Sequence, residues 1–208
     1  MPHATHYQSH EESWCDVGHT EIIRTVKGGS ILHTGSSVAG QLHKTGDDMV
    51  IFSRNGRDFT NRFPGIRHAV LTLPCKSAVI DGEVVACKED GTPDFRALHS
   101  GNYTQEILCV WAFDLMELDG HDLRPFPLIA RKRKLEVILR RHDHPYVRHS
   151  EPFKNGEQLL AECRKRRLEG IVSKRKHSPY KSSKCERVKA KCAQWKEDNK
   201  DRGDLFVR

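Results

Sequence analysis

The sequence has no long apolar run and a low apolar content, 37%. No stretch approaches the ~20 apolar residues that a membrane-spanning helix needs. The N-terminal segment MPHATHYQSHEESW has no apolar centre of the kind that a signal peptide has. We therefore expect no membrane association and a cytoplasmic location.

Cysteine is present, but without a pattern. The seven cysteines are an odd number, are scattered along the chain and form no CxxC pair. This distribution argues against a disulfide framework or a zinc knuckle and favours a reducing compartment. His3, His6 and His10 could ligate a metal, although a polar tail is the simpler interpretation.

Negative charge is scarce relative to positive charge. The 208 residues include 35 Lys and Arg against 28 Asp and Glu, a formal net charge of +7. Such an excess indicates a polyanionic partner, most simply nucleic acid or nucleotide phosphates. The alternative is that the basic residues only keep the protein soluble.

Short strands and helices follow one another from Met49 onward. They show no regular βαβ rhythm, so we expect an α+β domain. The predicted strands, from their alternating or continuous apolar residues, are 49–56 with its Asn-Gly turn, 77–88, 108–117, 170–176 and 186–192. The predicted helices are 59–73, 127–142, 157–168 and 193–206.

Two of these strands carry charged residues two positions apart, an arrangement that puts both on one face. Asp81 and Glu83 suit a divalent cation or a sugar hydroxyl, or they are a carboxylate pair at a turn. Lys189 and Lys191 suit a phosphate, or they line a solvated face.

A third strand, in LEGIVSK, begins next to a carboxylate and carries a lysine. Glu169 immediately precedes the predicted strand, and Lys174 lies further along it. Gly170, between them, has no side chain. We expect it to let a ligand approach the backbone closely.

Five segments occur in a fixed order between Gln41 and Cys192: SRNGRDFTNRFP, SAVIDGEVVACKEDGTPDF, AFDLMELDGHDLR, ARKRKL and LEGIVSKRKHSPYKS. Together they resemble the adenylation domain of ATP-dependent DNA ligases, most of all the bacterial end-joining type and its short stand-alone relatives. The resemblance implies the DNA ligase and mRNA-capping nucleotidyltransferase (ATP-grasp-like) fold, with antiparallel sheets flanked by helices.

The same resemblance divides the chain into three parts. Residues 41–192 form the adenylation domain, and residues 1–40 are a divergent or disordered segment in which the first part of the fold is degraded. Residues 193–208 form a helical tail, and we expect no oligonucleotide-binding (OB-fold) domain.

The activity that the resemblance implies is nick sealing in DNA repair and recombination. A lysine attacks the α-phosphate of ATP and becomes lysyl-AMP, the AMP moves to a 5′-phosphate on DNA, and a 3′-hydroxyl then displaces it. The expected cofactors are ATP and Mg²⁺ or Mn²⁺. The expected partners are nicked or broken duplex DNA and end-joining proteins.

The resemblance also implies which residues bind the nucleotide. Arg54 contacts the ribose and phosphate region, Glu83 contacts the ribose, and Lys174 adds positive charge nearby. Phe113 stacks on adenine, although on its own it would be taken for a core residue.

The catalytic set implied in the same way consists of two lysines and two carboxylates. Lys189 and Lys191 neutralise the α-phosphate, and Glu83 and Glu169 hold a divalent metal. Positioned cations of this kind suit phosphoryl and nucleotidyl transfer, in which negative charge spreads over the phosphate oxygens.

The nucleophile of the family is missing from its expected place. Its KxDGxR motif should lie about twenty residues before Arg54, but the chain has TGSSVA there, with Thr34 in place of the lysine. A threonine hydroxyl cannot replace an amine. Lys44 lies ten residues too late and Lys27 seven too early. We expect an impaired ligase or, alternatively, a catalytically dead remnant that still binds nucleotide or DNA.

Two basic segments could contact the DNA backbone. They are residues 131–141 and 164–167, both inside predicted helices. The alternative is a solvated amphipathic face.

Overall fold

The computed structural model describes residues 22–27, 38–86, 97–98, 108–141, 144–153, 155–165, 170–181 and 187–193. The helices are α1 (Pro64–Leu71), α2 (Leu128–Arg140) and α3 (Gly156–Lys165), with a 3-10 turn at Thr60–Arg62. The strands are β1 (Ile22–Lys27), β2 (Val38–Thr45), β3 (Asp48–Ser53), β4 (Ser77–Ala86), β5 (Leu108–Leu118), β6 (His121–Asp122), β7 (Val147–His149), β8 (Gly170–Arg175) and β9 (Arg187–Lys191).

The described strands form two sheets. The larger one is six-stranded, with the order β3-β2-β4-β5-β6 and β7 joined to β5 in parallel. All its other pairings are antiparallel. The smaller, three-stranded sheet has the order β1-β8-β9 and is antiparallel throughout. The predicted α+β class, with antiparallel sheets flanked by helices, is confirmed.

The main core lies between the larger sheet and the helices α1 and α2. Alternating residues of β2, β3, β4 and β5 point into it, because side chains on a strand alternate between faces. Large side chains buried in it, each no more than 1% exposed, include Leu42, Ile51, Phe63, Ile66, Ile80, Leu115 and Leu135. Burial of one such side chain contributes about 1.5–3 kcal/mol. These contacts therefore stabilise the packing of the helices on this face of the sheet.

The smaller sheet packs against α3 through a second core made by Leu159, Cys163, Ile171 and Cys192. Gly170 opens β8 with φ +147°, and a Cβ there would lie 1.9 Å from the carbonyl oxygen of Ala190 on β9. The expectation that this glycine makes room for a ligand is therefore wrong. The group that approaches it is the backbone of the neighbouring strand.

Most predicted elements agree with the structure to within a few residues. The predicted helix 59–73 is shorter, because the 3-10 turn precedes an α-helix that begins at Pro64, a position where proline is well tolerated. Strand β1 lies within residues 1–40, the segment that was expected to be divergent or disordered. The predicted tail helix falls outside the described residues except for Ala193. None of the described helices is long and apolar enough to cross a membrane.

Replacing Gly170 with alanine tests the close approach of β9. A Cβ would clash with backbone that cannot rotate away, and the positive φ adds strain of about 1–3 kcal/mol. We expect Gly170→Ala to lower the free energy of unfolding by at least about 3 kcal/mol in urea denaturation. The matched control is Gly46→Ala, with φ +58° and no atom within 4 Å of the new Cβ, for which we expect a loss of about 1–2 kcal/mol. Equal losses would contradict this packing.

Candidate nucleotide site between the two sheets

Lys174, in the smaller sheet, contacts two residues of the larger sheet. It lies on β8, and its Nζ is 3.9 Å from Oδ2 of Asp114 and 4.8 Å from the centre of the Phe113 ring. Phe113 is half-buried on β5. The structure therefore brings together two residues that the sequence analysis assigned to nucleotide binding, with the lysine over the aromatic ring.

A β-bulge explains how neighbouring residues of β5 both reach Lys174. Asp81 pairs with Asp114 and Gly82 pairs with Ala112, so Phe113 is the extra residue of the bulge. In a regular strand, residues 113 and 114 would point to opposite faces. The bulge re-aims one of them, and the aromatic ring and the carboxylate meet the same ammonium group.

Asp114 and Arg131 form a buried, bidentate ion pair. Arg131 Nε donates to Asp114 Oδ1 at 2.8 Å and Nη2 donates to Oδ2 at 3.0 Å, and both side chains are 2% exposed. Arg131 also donates from Nη1 to the carbonyl oxygens of Phe126 and Ser178. The pair thus ties α2 to β5 and to the segment that follows β8.

Asp81 is tied to the same segment by Tyr180. The Tyr180 hydroxyl donates to Asp81 Oδ2 at 2.7 Å, and the Tyr180 amide donates to the Arg124 carbonyl at 2.8 Å. Burial raises the pKa of Asp81, and the Tyr180 hydrogen bond opposes that shift. Burial also raises the pKa of Tyr180, which therefore keeps its proton and serves as the donor.

Glu83 is buried on β4. It is 0% exposed, and its register partners are Ala39 on β2 and Trp111 on β5. The pairing of β4 with β2 is regular, so Asp81 and Glu83 lie on one face of the sheet, as the two-residue spacing predicted. This face is opposite the one that carries the main core, to which Ile80 and Val84 of the same strand belong.

Arg54 lies apart from these carboxylates. It is exposed in the turn after β3, and Ser53 before it pairs with Gly40 on β2, which pairs in turn with Gly82 on β4. Arg54 thus follows the edge strand, two strands away from Glu83. Arg54 and Glu83 both lie near the end of the sheet at which β2 begins.

Lys189 and Lys191 are exposed on β9. Their register partners on β8 are Val172 and Gly170. Partners in an antiparallel pair lie on the same face, so both lysines share a face with Lys174. The smaller sheet therefore presents a row of cations on the face that borders Phe113.

Of the two predicted metal ligands, Glu83 is described and Glu169 lies outside the described residues. Thr34, at the expected place of the nucleophile, also lies outside them. Within those ranges there is no group of three or more His, Cys, Asp or Glu side chains arranged to hold a metal ion. A metal bound by Glu83 and Glu169 stays a prediction.

The first two basic residues of α2 do not face solvent. Arg131 and Lys132 are 2% and 3% exposed, so their assignment to DNA contact is wrong. Lys132 Nζ donates to the Ser150 carbonyl at 2.9 Å. Burial, reinforced by the positive charge of Lys174, lowers the pKa of Lys132 to about 8. Exposed basic positions on this helix include Arg133, Lys134 and Arg140.

Comparison with known proteins identifies the class of this fold and then the family. Among solved structures, the chain is similar to the ligase domain of LigD from M. tuberculosis, with a TM-score of 0.66 and 27% identity, covering 81% of this chain and 55% of that one. A mycobacterial DNA ligase D complexed with ATP and MES gives 0.65 and 26%, covering 81% and 54%. The fold is the nucleotidyltransferase domain of DNA ligases.

The family model described as ATP dependent DNA ligase domain matches residues 39–192. The chain belongs to this family. A multifunctional non-homologous end joining protein LigD from Pseudomonas aeruginosa is 36% identical over 147 residues, which are 68% of this chain and 17% of that protein. A probable DNA ligase from Beutenbergia cavernae is 32% identical over 152 residues, 69% and 30%. The chain thus spans less than a third of these curated relatives.

Replacing Asp114 with asparagine tests the buried ion pair. The change leaves the guanidinium of Arg131 buried without a carboxylate, a situation that costs about 3–5 kcal/mol. We expect Asp114→Asn to lose that much free energy of unfolding in urea. The control is Asp122→Asn, which breaks an ion pair with Arg124 whose side chains are 48% and 60% exposed. Its loss should be much smaller, because solvent screens that pair, and similar losses would contradict the role of the buried pair.

Replacing Asp81 with asparagine tests whether burial raises the pKa of its carboxyl group. Because burial raises the folded-state pKa of Asp81, this carboxyl favours folding below its unfolded pKa, and that contribution is lost as pH rises through the folded pKa. An asparagine still accepts from Tyr180. We expect the stability of Asp81→Asn relative to wild type to rise between about pH 4 and pH 7 in urea denaturation. Asp47→Asn, in an exposed turn, is the control. A difference that stays level or falls with pH would contradict the assignment.

Proposed function

We propose that this chain binds ATP and carries the adenylate to 5′-phosphate ends of DNA, as the adenylation domain of an end-joining type of DNA ligase. One observation carries the proposal. The family match over residues 39–192 includes Phe113 and Lys174, which are in contact across the two sheets.

Phe113 and Lys174 are proposed to bind the base end of the nucleotide. Adenine stacks on the Phe113 ring, as aromatic faces commonly do with bases. The Lys174 ammonium group, 4.8 Å from the ring centre, adds positive charge close by. Arg54 and Glu83 contact the ribose side of the nucleotide in this proposal.

Lys189 and Lys191 are proposed to bind the α-phosphate. Both are exposed, and they share the face of Lys174. Cations held on a strand need little reorganisation when negative charge spreads over a phosphate during transfer. Glu83 and Glu169 would hold Mg²⁺ or Mn²⁺, which supplies further positive charge when bound.

Nicked or broken duplex DNA is the proposed nucleic-acid substrate. The formal net charge of +7 favours a phosphate backbone as partner. Exposed basic residues in the described part of the chain include Arg133, Lys134 and Arg164. End-joining proteins are proposed as further partners, since a matched relative carries that description.

A second candidate function is binding without transfer. It is favoured by TGSSVA at the expected place of the KxDGxR motif, where Thr34 replaces the lysine. In that case the chain holds nucleotide or DNA through the same basic face. No adenylate would be transferred.

A nick-sealing assay separates these functions. The protein is incubated with a 5′-phosphorylated nicked duplex, ATP and Mg²⁺, and we expect adenylylated or sealed DNA that depends on ATP. The double variant Lys189→Ala and Lys191→Ala should lower its yield at least about 100-fold, since each lost phosphate contact removes transition-state stabilisation. Lys76→Ala, an exposed position before β4, is the control.

Two other outcomes would contradict adenylate transfer. If ATP raises the melting temperature of the protein but no adenylate reaches protein or DNA, the chain is a binding domain. If neither occurs, both functions are excluded.

A further inference from the structure

Lys132 is a buried amine that the proposed function has not used. It lies on α2, is 3% exposed, and its Nζ donates to the Ser150 carbonyl at 2.9 Å. Among the described residues no carboxylate forms an ion pair with it, whereas its neighbour Arg131 is paired with Asp114. A buried charge without a carboxylate costs stability, so packing alone does not account for a lysine at this position.

The segment that Lys132 binds lies beside Phe113. Ser150 follows β7, and its amide donates to the Ala112 carbonyl of β5 at 2.9 Å. Ala112 is the residue before Phe113, which is proposed to stack on adenine. The ammonium group of Lys132 is therefore held close to the part of β5 that carries Phe113.

Three cations share one carboxylate in this region. Arg131 binds both oxygens of Asp114, and Lys174 Nζ lies 3.9 Å from Asp114 Oδ2. Lys132 is the third cation, since the charges of Lys174 and Asp114 both act on it. Asp114 thus compensates only one of the three positive charges. The side chain of Lys174 is 25% exposed and that of Arg131 is 2% exposed, so an anion from solvent meets this cluster at Lys174.

The other titratable groups that act on Lys132 in the described part of the chain do not cancel this excess. Glu136, one turn further along α2, pairs with Arg140 at 2.7 Å. Burial, reinforced by the charge of Lys132, lowers the pKa of His149 on β7 to about 4. His149 is therefore uncharged at neutral and alkaline pH, and Lys132 is the group of this cluster that can change its charge there.

We propose that Lys132 is a positioning residue of the nucleotide site, whose buried positive charge strengthens the binding of a nucleotide phosphate beside the lysines of the smaller sheet. This inference rests on the proposed function. Because Lys132 is buried, it acts through its electric field rather than by contact, and solvent screens a buried charge less than an exposed one.

The pKa of Lys132 makes this contribution depend on pH. Burial, followed by the charge of Lys174, lowers that pKa to about 8. Lys132 is therefore charged at neutral pH and loses its charge as pH rises through its pKa. A bound phosphate favours the charged amine, so binding near this pH takes up a proton, and nucleotide affinity falls in alkaline solution.

Titration calorimetry with AMP measures the contribution. The second pKa of a phosphate monoester is about 6, so AMP itself keeps a constant charge above about pH 7.5. We expect the dissociation constant of wild type to rise about 10-fold between about pH 7.5 and pH 9.5. Lys132→Met lacks the charge at every pH. It should bind AMP about 10-fold more weakly than wild type at the lower pH and show no further loss.

Arginine at position 132 separates charge from packing. Lys132→Arg stays protonated over this whole range, so it should bind AMP like wild type at the lower pH and keep that affinity at the higher one. A side chain with only a structural role would not produce this change of pH profile. Lys76→Met and Lys76→Arg, at an exposed position before β4, are the matched controls and should keep the wild-type profile. Circular dichroism verifies that the variants are folded.

The outcomes distinguish this inference from the proposed function. A folded Lys132→Met or Lys132→Arg variant that keeps the pH profile of wild type overturns the inference and leaves nucleotide binding standing. If neither variant folds, the wild type decides: binding heats measured at about pH 8 in buffers of different ionisation enthalpy should show proton uptake, and none would overturn the inference. A wild type that binds no AMP at any pH overturns both.

Discussion

The buried pair of Asp114 and Arg131 is the interaction on which the site depends. It joins a strand of the larger sheet to α2, and through the Ser178 carbonyl it also holds the segment that leaves β8. A buried pair is costly to break, because the remaining charge has no solvent to compensate it. The larger sheet and the segment after β8 are therefore held in one arrangement, with Lys174 against Phe113.

The charge distribution follows from that arrangement. The face of the smaller sheet is rich in lysine, and Asp114 Oδ2 lies 3.9 Å from the Lys174 ammonium. Since Asp114 already forms two hydrogen bonds with Arg131, it neutralises this face only in part. The remaining positive charge on this face suits an anion with several charges, such as the phosphates of a nucleotide.

Much of the fold could be predicted from the sequence, because it follows from local periodicity. Alternating apolar residues are enough to locate β4, and a continuous apolar run locates β5. Long-range features could not be predicted in that way. Arg131 resembles a solvated residue of an amphipathic helix, since its partner is 17 positions earlier in the chain. The bulge at Phe113 and the approach of β9 to Gly170 depend on the register between strands, which periodicity does not reveal.

In the candidate site, too, some features could be predicted from the sequence and others could not. Lys174 and Phe113 were assigned through motifs and meet in the structure, whereas β1 has no alternation to reveal it and is defined by pairing with β8. The most direct test of the account is a crystal structure of the chain with ATP. We expect adenine against the Phe113 ring and phosphates beside Lys189 and Lys191. A nucleotide bound elsewhere, for example in the 400 Å³ groove beside α1 that Asp58 and Arg67 line, would contradict the account.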